Sequence, residues 1–115
     1  MNPYREQAHL LKLMAHPMRL QILDLLRRES ECVCHLSAVL GKPQPYVSQQ
    51  LAVLRNAGLI SDDKEGNNVF YRVADERIVR QLDAAFGPAR AAGDLALVAR
   101  GSIPGCNCPK CQPTV

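Results

Sequence analysis

Aromatic side chains are nearly missing from this chain, with two Phe, three Tyr and no Trp in 115 residues. The core is therefore left to aliphatic side chains. No apolar run exceeds a few residues, which excludes a membrane span. The start, Met1 to Gln7, is polar and lacks the uninterrupted apolar stretch of a secretory signal, so the chain is expected to be cytoplasmic. Neither charge sign dominates: 14 Lys and Arg face 11 Asp and Glu, a net +3. That balance permits a polyanion partner without demanding one. No histidine follows His35. Internal repeats and low-complexity tracts are also absent.

What stands out against this background is cysteine. Cys106, Cys108 and Cys111 fall within six residues of each other near the end, and Cys32-Val33-Cys34 forms a second cluster far away. Thiols stay reduced in the cytoplasm, so clusters there read as metal ligands or redox sensors rather than a disulfide framework. A chain of this length is one domain, and domains this small often gain stability by dimerising.

Periodicity supplies the elements. Residues 4–15 make a helix with Ala8, Leu11 and Ala15 on one face and Leu10 and Met14 beside them. His16-Pro17 breaks it, and Pro17 suits the first turn of a second helix carrying Met18, Ile22, Leu25 and Leu26. A short third helix is expected over about residues 31–40, stopped by Gly41. A fourth, over residues 45–56, buries Val47, Leu51 and Leu54 and closes at Gly58. The period then changes. Residues 59–61 and 69–73 read as two strands joined by the polar turn 62–68, a β-hairpin. From Asp75 a helix resumes with Ile78, Val79, Leu82 and Phe86 on one side, and Gly87-Pro88 is expected to kink or split it. A further apolar segment covers residues 91–99. Residues 1–100 thus form the folded domain, and 101–115 an extended Cys-rich arm.

Short helix, brief turn, polar-faced helix and hairpin make a winged helix-turn-helix, mainly α with a β-hairpin wing. On the fourth helix Tyr46, Ser48, Gln49, Gln50 and Arg55 lie off the apolar face, with groups suited to base edges and phosphates in a major groove. In the hairpin Lys64, Asn67, Asn68 and Arg72 are placed to touch backbone or minor groove. Double-stranded operator DNA is the partner this pattern favours. Two merely packed helices are the blander explanation of the pair alone. An enzyme is the least favoured class, because no nucleophile has a supporting base at plausible positions.

Four stretches resemble a known family. Residues 13–23, from Leu13 through His16-Pro17 to Leu23, resemble the second-helix entry of the ArsR/SmtB metalloregulators. Glu31-Cys32-Val33-Cys34-His35-Leu36 resembles the Cys-Val-Cys motif of their arsenic-, cadmium- and lead-responsive branches. Residues 46–60 resemble their recognition helix, and Phe70-Tyr71-Arg72-Val73 fits their wing. The resemblance covers about residues 5–86. It implies a homodimeric winged-helix repressor that leaves its operator on binding an effector. Gln50 stands where most members have His, and His35 where the motif has Asp. The motif is one residue shorter ahead of Cys32. With no histidine after His35, the zinc site that some members build on the last helix is absent in its usual form.

The residues make their own case for a metal site. Thiolates are the best protein ligands for soft ions such as As(III), Cd(II) and Pb(II). Deep in a helix, positions i and i+2 point about 200° apart and do not share an ion. Ser30 and Glu31 as caps would put Cys32 and Cys34 in a first turn, where they can converge and where thiolate is favoured. Two thiolates are too few, and the arm offers Cys106, Cys108 and Cys111. The bland alternatives are that Cys32 and Cys34 are small buried hydrophobes and that the arm is an incidental end. His35 reads as a solvent-facing helix residue, and His9 and His16 as structural. Ion binding at the third helix would re-aim the fourth and release DNA. Two other readings keep the thiols: a redox or persulfide-sensing repressor of the same fold, and a metal-sequestering protein with no DNA role.

Overall fold

The computed structural model describes residues 2–91. Its elements run α1 (Pro3–Met14), α2 (Pro17–Leu26), β1 (Glu31–Cys32), α3 (Val33–Leu40), α4 (Gln44–Asn56), β2 (Ile60–Glu65), β3 (Asn68–Val73) and α5 (Glu76–Ala91). Among the described residues, five helices and a small antiparallel sheet make a winged helix-turn-helix. The apolar segment 91–99 and the arm 101–115 lie outside the described residues, apart from Ala91 at the end of α5.

Local chemistry sets the helix ends. The Asn2 side chain accepts from the Tyr4 and Arg5 amides, and Pro3 opens α1. His16 caps α2, its Nδ1 accepting from the Met18 amide at 3.2 Å, with Pro17 at the first position. That structural role for His16 matches the sequence. α3 stops at Gly41, whose φ of 66° lies in the left-handed region that glycine enters without steric cost. The chain can then turn at once into α4.

The core is aliphatic. Ile22, Leu23, Leu36, Val47, Leu51, Leu54, Ile78 and Leu82 are almost wholly buried, and Leu10 and Met14 join them from α1. The core side of α1 is thus Leu10 and Met14, while Ala8, Leu11 and Ala15 remain exposed. Leu11 is 46% exposed and edges an open apolar groove of about 240 Å³ with Met14, Ala15, Leu20, Gln81, Leu82 and Ala85. Ion pairs from Arg90 to Asp24 and from Arg27 to Asp83 tie α2 to α5.

Four expectations change. The hairpin is longer and its turn tighter: β2 and β3 pair antiparallel from Ile60↔Val73 to Glu65↔Asn68, leaving only Gly66-Asn67 as the loop. Only Gly66 there has positive φ, at 61°, the pattern of a II′-type connection. β1 was not expected; Glu31 pairs with Tyr71 and Cys32 with Phe70, giving the sheet order β1-β3-β2. α3 consequently starts two residues late. α5 continues through Gly87-Pro88 to Ala91 instead of splitting there.

Asp75 caps α5, its Oδ1 accepting from the Arg77 amide at 2.9 Å, and the Arg77 guanidinium folds back onto the same carboxylate. The Arg77 side-chain hydrogen bond holds this carboxyl below its ordinary value. Asp75→Ala is expected to lower the unfolding free energy by about 1 kcal/mol, the usual worth of a cap. Because the folded pKa is depressed, this stability is fully present above about pH 4 and disappears as pH falls through the folded value. Urea melts of both proteins between neutral and strongly acid pH check it; the gap should close only at the acid end.

Candidate DNA-reading head and thiol site

α3, the Gly41 turn and α4 form the reading head. Val47, Leu51 and Leu54, at i, i+4 and i+7, fix how α4 is rolled. Ser48, Gln49, Ala52, Arg55 and Asn56 are exposed, while Tyr46 and Gln50 sit half-buried on the flank. Lys42 and Gln44 are exposed where α4 begins, the end of a recognition helix that meets base edges. Asn56, Lys42 and Gln44 are not among the sequence candidates; Asn56, seven residues after Gln49, shares its helical face.

The basic candidates are not idle. Arg55 Nη1 lies 3.0 Å from Asp62 Oδ2. Arg72 donates from Nε to Ser61 Oγ at 3.0 Å, and its Nη1 lies 3.2 Å from Asp63 Oδ2. Both arginines are thus held by acidic side chains of β2. Such exposed pairs are worth little and can be exchanged for phosphate. Lys64 and Asn67 are exposed near the hairpin tip, with Asn68 half-buried beside them.

At the other end of α3 the cap is Cys32 itself, not Ser30 or Glu31. β1 keeps Glu31 and Cys32 extended against β3, so the helix cannot begin earlier. Cys32 has φ −87° and ψ 163°, and its Sγ accepts from the His35 amide at 3.4 Å. It is 5% exposed, and Cys34, in the first turn, is half-buried. Extended backbone at Cys32 removes the angular bar between the two sulfurs that a continuous helix would impose. His35 is not solvent-facing. It is buried, with Nε2 2.6 Å from the buried Glu31 Oε2, which fastens the first turn of α3 to β1.

Two soft donors suit a thiophilic ion but do not complete its shell. Among the described residues no group of three or more His, Cys, Asp or Glu is placed to hold a metal. Cys106, Cys108 and Cys111 lie outside the described residues. His9 is exposed on α1, apart from this site. No helix among the described residues is long and apolar enough to cross a membrane.

Residues 16–62 match the family described as "Bacterial regulatory protein, arsR family". The chain is 41% identical over 81 residues to the biofilm growth-associated repressor of Agrobacterium fabrum, covering 70% of this chain and 69% of that one. Its fold matches HlyU from Vibrio cholerae N16961 with a TM-score of 0.70 at 35% identity, over 76% of this chain and 97% of that one. It also matches the AntR antimony-specific transcriptional repressor, TM-score 0.70 at 30% identity, over 80% and 84% of the two chains.

Proposed function

Since the chain belongs to the arsR family of bacterial regulatory proteins, which are regulators and not enzymes, we propose that it is a cytoplasmic, homodimeric repressor released from operator DNA by a thiophilic ion. As(III), Cd(II) or Pb(II) is the inducer, bound by Cys32 and Cys34 together with thiolates of the arm, drawn from Cys106, Cys108 and Cys111. The observation that carries this reading is the double duty of Cys32. Its sulfur caps α3, and its backbone pairs with β3 of the wing. A thiol used in this way joins both DNA-facing elements, the recognition helix through α3 and the wing through β3. The antimony-specific repressor among the similar folds is named for a metalloid of the same thiophilic kind.

In the DNA-bound state Tyr46, Ser48, Gln49, Gln50 and Arg55 face the major groove, and Lys64, Asn67, Asn68 and Arg72 approach the backbone. The exposed Ala8, Leu11 and Ala15 face of α1 and the groove along α5 offer the apolar surface for a second copy. Half-sites about one helical turn apart would suit that dimer. Coordination requires the buried Cys32 thiolate to leave its place under α3. The His35 amide then loses its acceptor, β1 strains against β3, and the reading head loses register. DNA and ion oppose each other by a coupling of about 1–3 kcal/mol.

The test titrates As(III), Cd(II), Pb(II) and Zn(II) into reduced protein and follows thiolate charge-transfer absorption. A chain truncated before Gly105 should bind the inducing ion more weakly and with fewer thiolates. Unchanged affinity and stoichiometry would contradict a site split between α3 and the arm.

A further inference from the structure

Arg19 connects three elements. From α2 its Nε donates to Gln50 Oε1 on α4 at 2.9 Å, and its Nη1 donates to the Leu13 carbonyl at the end of α1 at 3.1 Å. Both residues are half-buried, and the guanidinium is held from two sides. Arginine has donors and no acceptor. The Gln50 amide must therefore turn its oxygen toward Arg19, which directs its NH2 group away. A free glutamine can flip and offer a donor and an acceptor together, the pattern that reads adenine N6 and N7. Gln50 has had that choice removed.

We infer that Arg19 is a positioning residue for base selection: by holding the Gln50 oxygen it makes Gln50 a donor toward DNA, selecting guanine over adenine at one position of each half-site. The guanine edge in the major groove presents two acceptors, O6 and N7. The adenine edge puts an amino group where O6 would be, donor against donor. This inference rests on the DNA-reading role of α4 proposed above.

The experiment is a selection from randomised double-stranded DNA, followed by binding measurements on the selected site and its guanine-to-adenine variants. Wild type should lose about tenfold or more on one such change. Gln50→Ala should erase that preference and leave the others. Arg19→Gln, whose amide can donate or accept, should admit adenine at the same position, whereas Arg19→Lys, again donor-only, should keep guanine. Thermal melts of each variant confirm that it is folded. If Arg19→Gln weakens all sequences equally, or leaves the guanine preference intact, the inference is wrong. If wild type selects a site but Gln50→Ala changes no position, the inference falls while DNA reading stands. If wild type shows no sequence preference at all, the DNA-reading proposal falls with it.

Discussion

Cys32→Ser is expected to keep the fold and the operator and to lose release by thiophilic ions. Serine is nearly isosteric with cysteine, so the buried site is neither emptied nor overfilled. Its hydroxyl is one of the preferred caps and should accept the His35 amide at least as well as the sulfur does. Stability should therefore hold or rise slightly. A neutral hydroxyl is no ligand for a soft ion. The ion-dependent loss of DNA affinity, roughly 5- to 150-fold for a coupling of ordinary size, should fall toward onefold. Cys34→Ser should lose the response in the same way without touching the cap. Cys32→Ala should lose both the response and about 1 kcal/mol of stability. Anisotropy of a labelled operator with and without ion, beside urea melts, separates the three. A Cys32→Ser protein that still released DNA normally would remove Cys32 from the sensor.

The second large effect separates scaffold from contact on one helix. Leu54 is fully buried and Gln49 is exposed, both on α4. Leu54→Ala leaves a cavity beneath the recognition helix and should lower the unfolding free energy by about 2–5 kcal/mol. That is a large share of the roughly 5–15 kcal/mol that holds a domain of this kind together. Gln49→Ala should leave stability within about 0.5 kcal/mol, as surface changes do. It should instead weaken operator binding, by about 1–3 kcal/mol if it reads a base. Chemical denaturation and operator titration on both variants give the two pairs of numbers. Equal destabilisation by both would mean that Gln49 is part of the scaffold.

The winged helix-turn-helix was readable because its signals are local. Val47, Leu51 and Leu54 repeat at helical spacing, His16-Pro17 marks one boundary, and Gly41 marks another. What escaped depends on contacts far apart in sequence. β1 is two residues long, too short to show a period of two, and exists because β3 lies beside it. Without that strand the sequence points to Ser30 or Glu31 as the cap and to a solvent-facing His35, because the partner Glu31 is held in place only by β1. Asp62, Asp63 and Lys64 read as loop because acidic and basic residues have low strand propensity, yet in a solvent-facing hairpin the backbone pairs regardless. The Arg19–Gln50 bond spans 31 positions and has no local signature. The thiol pair was legible as a pair. Its place at the junction of reading head and wing was not.

The most direct test of the central claim is the fate of the reduced protein–operator complex as ions are added one at a time, followed by gel shift or anisotropy. Release by As(III), Cd(II) or Pb(II) near one equivalent per site, under reducing conditions and reversed by a competing dithiol, is the expected result. A complex that survives saturating amounts of all three ions, yet falls apart on adding an oxidant or a persulfide donor, would contradict it and make these cysteines a redox switch.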